Sequence, residues 1–329
     1  MTGNEVDITI LGAESLGVRG LCCVVEVGDR RIVIDPGLAL GYERHGLLPH
    51  PAQVAVGEQV RRRIIAALRD ASDVVMSHFH GDHVPLPNAN PYQLPARRVA
   101  PLCRKVRLWA KGPEGLSPSM ERRRASLGEA LGRDLPNAEG QSDGPLTFSP
   151  PVSHGEAHTR LGTVMMTRVE GRNTVFVHAS DTQLLDSKAV SLILDWRPDI
   201  ALVGGPPLYL DKRIGGRQRR MAWENAQRLA RHVDVLILDH HLLRCEEGLS
   251  WLDRLSSETG QRVICAADFM GHPRRLLEAR RERLYEEMAV PEGWHEAYAR
   301  GDANTLRYRD YWAEGEMGVS SSACQQAPG

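Results

Sequence analysis

The run His78-Phe79-His80-Gly81-Asp82-His83 places three imidazoles and one carboxylate within six residues. Neutral imidazole nitrogen and carboxylate oxygen are ligands for zinc, iron or manganese, so the density of such groups points to metal binding. The run directly follows residues 74–76, a short apolar stretch with strand character, and Ser77. A strand that stops there leaves its chain turning at the end of a sheet, where neighbouring side chains can curl around one point. Gly81 is expected to permit the sharp backbone course that such a cage needs.

The elements that position this loop are short strands alternating with helices. Residues 6–11, 21–27 and 31–34 are apolar and β-branched, and Gly28-Asp29 between the last two predicts a hairpin. Val60, Ile64 and Leu68 stand four apart within 57–70 with arginines between them, one buried face of an amphipathic helix. Between 86 and 145 the pattern weakens among scattered prolines and glycines, with a basic cluster at Arg122, Arg123 and Arg124, and the stretch is expected to be an insertion or lid. Strands follow near 146–148, 164–169, 174–177, 200–203, 233–238 and 263–266, with helices near 185–195 and 217–232 and one more before the last strand. Strands first, then strands and helices in alternation, predict a layered α/β sandwich.

The string HFHGDH resembles the HxHxDH signature of the metallo-β-lactamase superfamily. That resemblance implies an αββα sandwich with metals at the end of two facing sheets. It also implies that His78 and His80 serve one metal and Asp82 and His83 a second. The later superfamily ligands are a histidine after a middle strand, a bridging aspartate and a histidine after a late strand. Ser153-His154-Gly155, Ser180-Asp181-Thr182 and Asp239-His240-His241 stand in that order, each after an apolar stretch. Residues 12–19, 34–37, 149–155, 178–181 and 239–244 are also similar to a chiefly archaeal branch of predicted hydrolases of this fold, over roughly 6–271. The branch brings no substrate with it.

By that resemblance His154 completes the first site, Asp181 bridges, and His240, the first residue after its strand, belongs to the second. Seven ligands imply two ions, or one ion with spares; zinc is expected first, manganese or iron next. A divalent pair can share a hydroxide that attacks an electrophile. The catalytic residues expected are Asp82, which is also a ligand, His241 and Asp35. His241 is free to bond a phosphate or donate a proton. Asp35 resembles the superfamily aspartate behind the metal loop, where a buried carboxylate orients an imidazole or the backbone; a role in the turn before Pro36-Gly37 is the alternative. Ser15 and Arg19 lie in a connection that the fold often directs toward the metals, so Arg19 is expected to hold an anionic group or else a structural salt bridge. Tyr209, after Pro206-Pro207, is expected to wall the pocket, and His178 to stand behind the ligands or in the core.

The chain has 329 residues, 42% of them hydrophobic and 25% charged, enough to bury a large core. The expected organisation is a metallo-β-lactamase-fold domain over 1–271 and a C-terminal helical and aromatic extension over 272–329. In the extension Leu277, Leu284 and Met288 form one stripe, and Trp294, Tyr298, Tyr308, Tyr311 and Trp312 follow. Such an extension docks on the domain or on a second copy in a homo-oligomer. Six cysteines without CxxC spacing suggest reduced thiols, and no apolar run reaches signal-peptide or membrane-span length, so a cytoplasmic protein is expected. A net charge of −1 argues against long nucleic acids and leaves small molecules as substrates. Three functions fit: a hydrolase of esters, lactones, amides or thioesters; a phosphodiesterase or nuclease; and a non-hydrolytic iron redox or ligand-binding protein.

Overall fold

The computed structural model describes residues 5–157, 160–210 and 214–309. His158, Tyr311, Trp312 and Cys324 lie outside the described residues. Strands β1 (Asp7–Gly12), β2 (Cys22–Val27), β3 (Arg30–Ile34), β4 (Asp73–Met76) and β5 (Arg107–Ala110) form one sheet in chain order. The first three are antiparallel neighbours, whereas β3, β4 and β5 run parallel. A second sheet takes β6 (Ser142–Asp143), β7 (Leu146–Phe148), β10 (Thr167–Glu170), β11 (Val175–His178), β12 (Ile200–Val203), β13 (Val235–Leu238) and β14 (Arg262–Ile264), with β11 to β14 parallel. A small ribbon of β8 (Val152–Ser153) and β9 (Thr163–Val164) stands apart from both.

The alternation of side chains along each strand builds the layers. Ile32, Ile34 and Val75 of the first sheet meet Phe148, Val169, Phe176, Leu202 and Ile237 of the second in one buried cluster. The opposite face of the first sheet, with Val33, Val74, Met76 and Leu108, packs under α1 (Pro51–Arg69) and α3 (Pro118–Leu131). The short α2 (Ala96–Val99) lies between them in sequence and adds Val99 to the same cluster. The opposite face of the second sheet, with Val177, Val203, Leu236 and Leu238, is covered by α4 (Ser187–Asp195), α5 (Gly216–Ala230) and α6 (Glu247–Thr259). Helix, sheet, sheet, helix is the layered α/β sandwich that the alternation of elements predicts.

Three elements differ from the sequence reading. Helix α1 begins six residues earlier than 57, because His50 caps it: its side chain accepts from Ala52 N–H while Gln53 accepts from His50 N–H, and Pro51 takes the first helical position. The run 164–169 divides into β9 and β10, since Met165 N–H leaves the ladder to donate to the Ser77 carbonyl and Met166 N–H donates to the Ser149 hydroxyl. The stretch 86–145 supplies an edge strand, β5, and a packed helix, α3, which buries Met120, Leu127 and Leu131 and ends at Gly132 in the left-handed conformation.

After α7 (Ala266–Phe269), the described part of the C-terminal segment carries α8 (Arg281–Glu287) and α9 (Trp294–Arg300). Leu277, Leu284 and Trp294 join the outer core of the first sheet, and Tyr308 packs on Ala52 and Ala55 of α1. Among the described residues no helix is long and apolar enough to cross a membrane.

Candidate metal centre

Parallel strands bring their C-terminal ends to one edge of the sandwich, and the chemistry collects there. Asp35 follows β3, His78 follows β4, Asp181 follows β11 and His240 follows β13; His154 follows the β8 ribbon strand. At three of these ends a residue other than glycine takes the left-handed conformation: Asp35 (φ 49°), Ser180 (φ 52°) and His240 (φ 48°). Such a turn bends the chain away from the sheet within one residue, which is how each carboxylate or ring reaches the common point.

Asp181 is the hub. Its Oδ2 lies 3.1 Å from His154 Nε2, 3.4 Å from His78 Nε2 and 4.0 Å from His80 Nδ1. Its Oδ1 lies 2.9 Å from His83 Nε2 and 3.3 Å from His240 Nε2, and Asp82 Oδ2 stands 3.6 Å from that same His240 nitrogen. Four overlapping groups of donor atoms result among the described residues: His78, His80, His154 and Asp181; Asp82, His83 and His240; Asp181, His240 and His241; and Asp35, His78 and His83. The side chains of His80 and Asp82, 25% and 15% exposed, are the accessible members of these groups; His78, His83 and His240 are fully buried.

The groups behind the ligands fix which atoms they present. Asp35 accepts from Ser77 N–H at 2.7 Å and from the Ser77 hydroxyl at 2.6 Å, and it bonds His83 Nδ1 at 2.8 Å, so His83 turns Nε2 to the centre. Asp35 therefore orients both an imidazole and the backbone of the metal loop. The hydroxyls of Ser77 and Ser180 lie 3.0 and 3.3 Å from His78 Nδ1. The Gln183 amide stands 3.3 Å from His154 Nδ1, and Gly20 N–H donates to His240 Nδ1 at 3.3 Å. Gly20 can come this close only as glycine, because with φ +127° a Cβ there would stand 2.5 Å from the Asp82 carbonyl oxygen. Gly81 is needed for space rather than for its backbone angle: it is not among the positive-φ glycines, and a Cβ would meet Leu86 Cδ1 at 2.8 Å.

Electrostatics keep most of these rings in the form that donates a lone pair. Burial pushes His78 down to about 3 and His240 to about 4, and it lowers His154 as well. His83 is the exception: burial opposes its charge, but Asp181 and Asp35 on its two nitrogens hold it well above the usual histidine range. Burial opposes charge on Asp181 and Asp82 too, yet the surrounding histidines, and for Asp82 also Arg244, keep both carboxyls well below the usual range.

The residues expected to contact substrate have partners of their own. Ser15 is fully buried; its hydroxyl donates to Asp239 Oδ2 at 2.5 Å and accepts from Ala267 N–H, so it steadies the turn that carries His240. Arg19 pairs with Glu278 at 2.6 Å. Tyr209 accepts a hydrogen bond from Arg244 Nη1 at 3.2 Å and lies between the guanidiniums of Arg44 and Arg244. His178 is a core histidine that bonds the Leu21 carbonyl. The sequence reading missed Arg244 and Glu14. Arg244 donates to Glu14 at 2.7 Å and to Asp82 at 3.2 Å, and its Nη2 lies 2.9 and 3.3 Å from the two nitrogens of His240. The signal was present, four residues beyond His240, but Arg244 reads as an ordinary charge at the end of a short turn.

No family model matches the chain. It is 50% identical over 303 residues to a UPF0282 protein of Methanosarcina mazei, covering 92% of this chain and 99% of that protein. A UPF0282 protein of Pyrococcus horikoshii is 34% identical over 298 residues, covering 86% and 95% of the respective chains. Among solved structures the chain is similar to Tm1679, a metal-dependent hydrolase of the beta-lactamase superfamily, with 11% identity and a TM-score of 0.43 over 79% of this chain and 95% of that one.

Proposed function

This chain belongs to the UPF0282 family, and from that premise we propose that it is a metal-dependent hydrolase of the metallo-β-lactamase superfamily, acting on an ester, lactone, amide or thioester bond of a small molecule. The observation that carries the reading is the division of donors around Asp181, with His78, His80 and His154 toward one carboxylate oxygen and His83 and His240 toward the other.

The donor set fits a divalent pair. Asp181 Oδ1 is buried and receives no hydrogen bond although His83 Nε2 stands 2.9 Å away. A carboxylate oxygen left so in a protein interior is costly unless a cation takes its lone pairs. His78, His80, His154 and Asp181 would hold one ion; Asp82, His83, His240 and Asp181 would hold the other. Zinc is the first expectation for such nitrogen and oxygen donors, with manganese or iron next. Bound there, divalent ions supply a lowered pKa for water and stabilise charge that develops on the electrophile.

The chain supplies the rest. Asp35 and Gly20 hold the rings of His83 and His240 in register. Arg244 braces Asp82 and brings a permanent positive charge to the rim of the second site. Substrate approaches on the exposed side of His80 and Asp82, where Tyr209 and Arg44 form a wall next to Arg244. The test is elemental analysis of protein purified without added metal, beside chromogenic ester, lactone, thioester, phosphodiester and β-lactam substrates. Wild-type protein is expected to carry up to two ions and to turn over a carboxylic derivative. His80→Ala and Asp82→Ala are expected to stay folded and lose metal. Unchanged metal content in both variants would remove the loop as the ligand source, and turnover of phosphodiesters alone would replace the bond assigned here.

A further inference from the structure

The centre holds one imidazole more than the seven-residue ligand set uses. His241 is 6% exposed, and neither of its ring nitrogens has a hydrogen-bond partner among the described residues. Buried histidines kept for packing bond at least one nitrogen. His50 does so with Ala52 N–H and the Met288 carbonyl, and His178 with the Leu21 carbonyl.

The position of the ring explains its lack of partners. His241 Nε2 lies 3.3 Å from Asp181 Oδ2, the oxygen that His154 and His78 also face. Two ligands on one ion, each bonded at ~2.1 Å, stand roughly 3.0 to 3.4 Å apart at right or tetrahedral angles. Adjacent residues in an extended chain point to opposite sides, but the left-handed turn at His240 sends both rings the same way, with centroids 4.5 Å apart. His240 Nε2 then meets Oδ1 of Asp181 at 3.3 Å while His241 Nε2 meets Oδ2.

On the reading of the site as a metal centre, we propose that His241, whose ring clusters with Asp181 and His240, is an eighth protein ligand and turns onto the first ion beside His78, His80, His154 and Asp181. That ion then has five protein donors, more than tetrahedral zinc accepts, and the set suits a metal of higher coordination number such as iron. The second ion, with Asp82, His83, His240 and Asp181, keeps the more open shell, and both ions border the exposed side, one through His80 and the other through Asp82. The two ions are therefore unequal in the number of donors that the chain gives each.

Cobalt(II) loaded to saturation into chelator-treated protein tests this, because every histidine bound to the paramagnetic ion gives its own set of hyperfine-shifted ring proton resonances. Wild type is expected to show six sets and His241→Ala five, with affinity for the first ion weakened at least about tenfold. His241→Gln, which keeps a polar side chain, serves if the alanine variant fails to fold and is also expected to show five. Five sets in both wild type and variant, at equal affinity, overturn the assignment of His241 while leaving the metal centre in place. A wild-type protein that takes up no cobalt overturns the metal reading itself, and this inference with it.

Discussion

Glu278→Gln isolates the contact by which the C-terminal segment holds the loops beside the metal centre. The Glu278 carboxylate is 4% exposed and receives Arg19 at 2.6 Å, Arg281 at 2.8 Å and Gly41 N–H at 3.3 Å. Burial alone would raise its pKa, but Arg19 and Arg281 override that and bring it from 4.5 down to about 2. At ~1.4 kcal/mol for each pH unit, that fall corresponds to about 3 kcal/mol of folded-state stability at neutral pH. Glutamine keeps the shape and removes the charge, leaving the buried Arg281 and the partly exposed Arg19 short of a counter-ion; losing one partner of a fully buried pair costs ~3–5 kcal/mol, and the exposure of Arg19 brings the expectation to the lower end of that range. Because the folded-state pKa is depressed, the contribution is complete above about pH 4.5 and is lost as pH falls through about 2. The assay is denaturant unfolding of wild type and variant at pH 7 and pH 3, with chelator present so that loss of metal in acid affects neither. Groups that titrate alike in both proteins cancel in the difference. The variant is expected to be less stable by about 3 kcal/mol at pH 7, and the gap is expected to shrink by about half at pH 3. A gap equally large at both pH values would show that the loss comes from packing, and a gap under ~0.5 kcal/mol at pH 7 would refute the charge argument.

Two further substitutions probe what stands behind the ligands. Asp35→Asn leaves His83 without its carboxylate partner, and metal affinity measured by chelator competition is expected to fall about 10- to 100-fold; unchanged affinity would show that the loop holds the ring without help. Gly37→Ala places a Cβ 2.2 Å from the carbonyl carbon of His83, so the expected result is a lower melting temperature with reduced metal content, whereas wild-type values for both would refute that close approach.

The strand ends were legible in the sequence because most of the candidate ligands, His154 excepted, follow an apolar run that has to be a buried strand. Loop 78–83, Asp181 and Asp239-His240-His241 all announce themselves that way, and the order of the strands then brings them to one edge. What stayed hidden depends on partners distant in the chain. Nothing near Ser15 indicates that its hydroxyl is taken by Asp239, 224 residues on, or near Arg19 that Glu278 holds it from 259 residues away. Residues 86–145 concealed β5 and α3 for another reason: their buried positions are widely spaced among arginines, as in Met120, Leu127 and Leu131, and the charge outweighs the periodic signal. Arg244 has both faults, since its partners Glu14 and Asp82 are remote and its own turn is too short to show a period.

The left-handed residues at the ends of β3, β11 and β13 bear on how the molecule fails as well as on how it works. Each costs a side chain-bearing residue ~1–2 kcal/mol relative to an ordinary backbone, and three together cost ~3–6 kcal/mol, comparable with the low end of the ~5–15 kcal/mol margin of a folded domain. Three of the six non-glycine left-handed residues among the described residues stand at this one edge, so much of the backbone strain lies where the candidate ligands meet. Ions that bind the folded arrangement and not the unfolded chain would restore what the turns cost. Depletion of metal would then act on the protein as local heating does, opening this edge first while the interior of the sheets stays closed. For a protein of this design, scarcity of a bound ion and loss of the folded site would be one event.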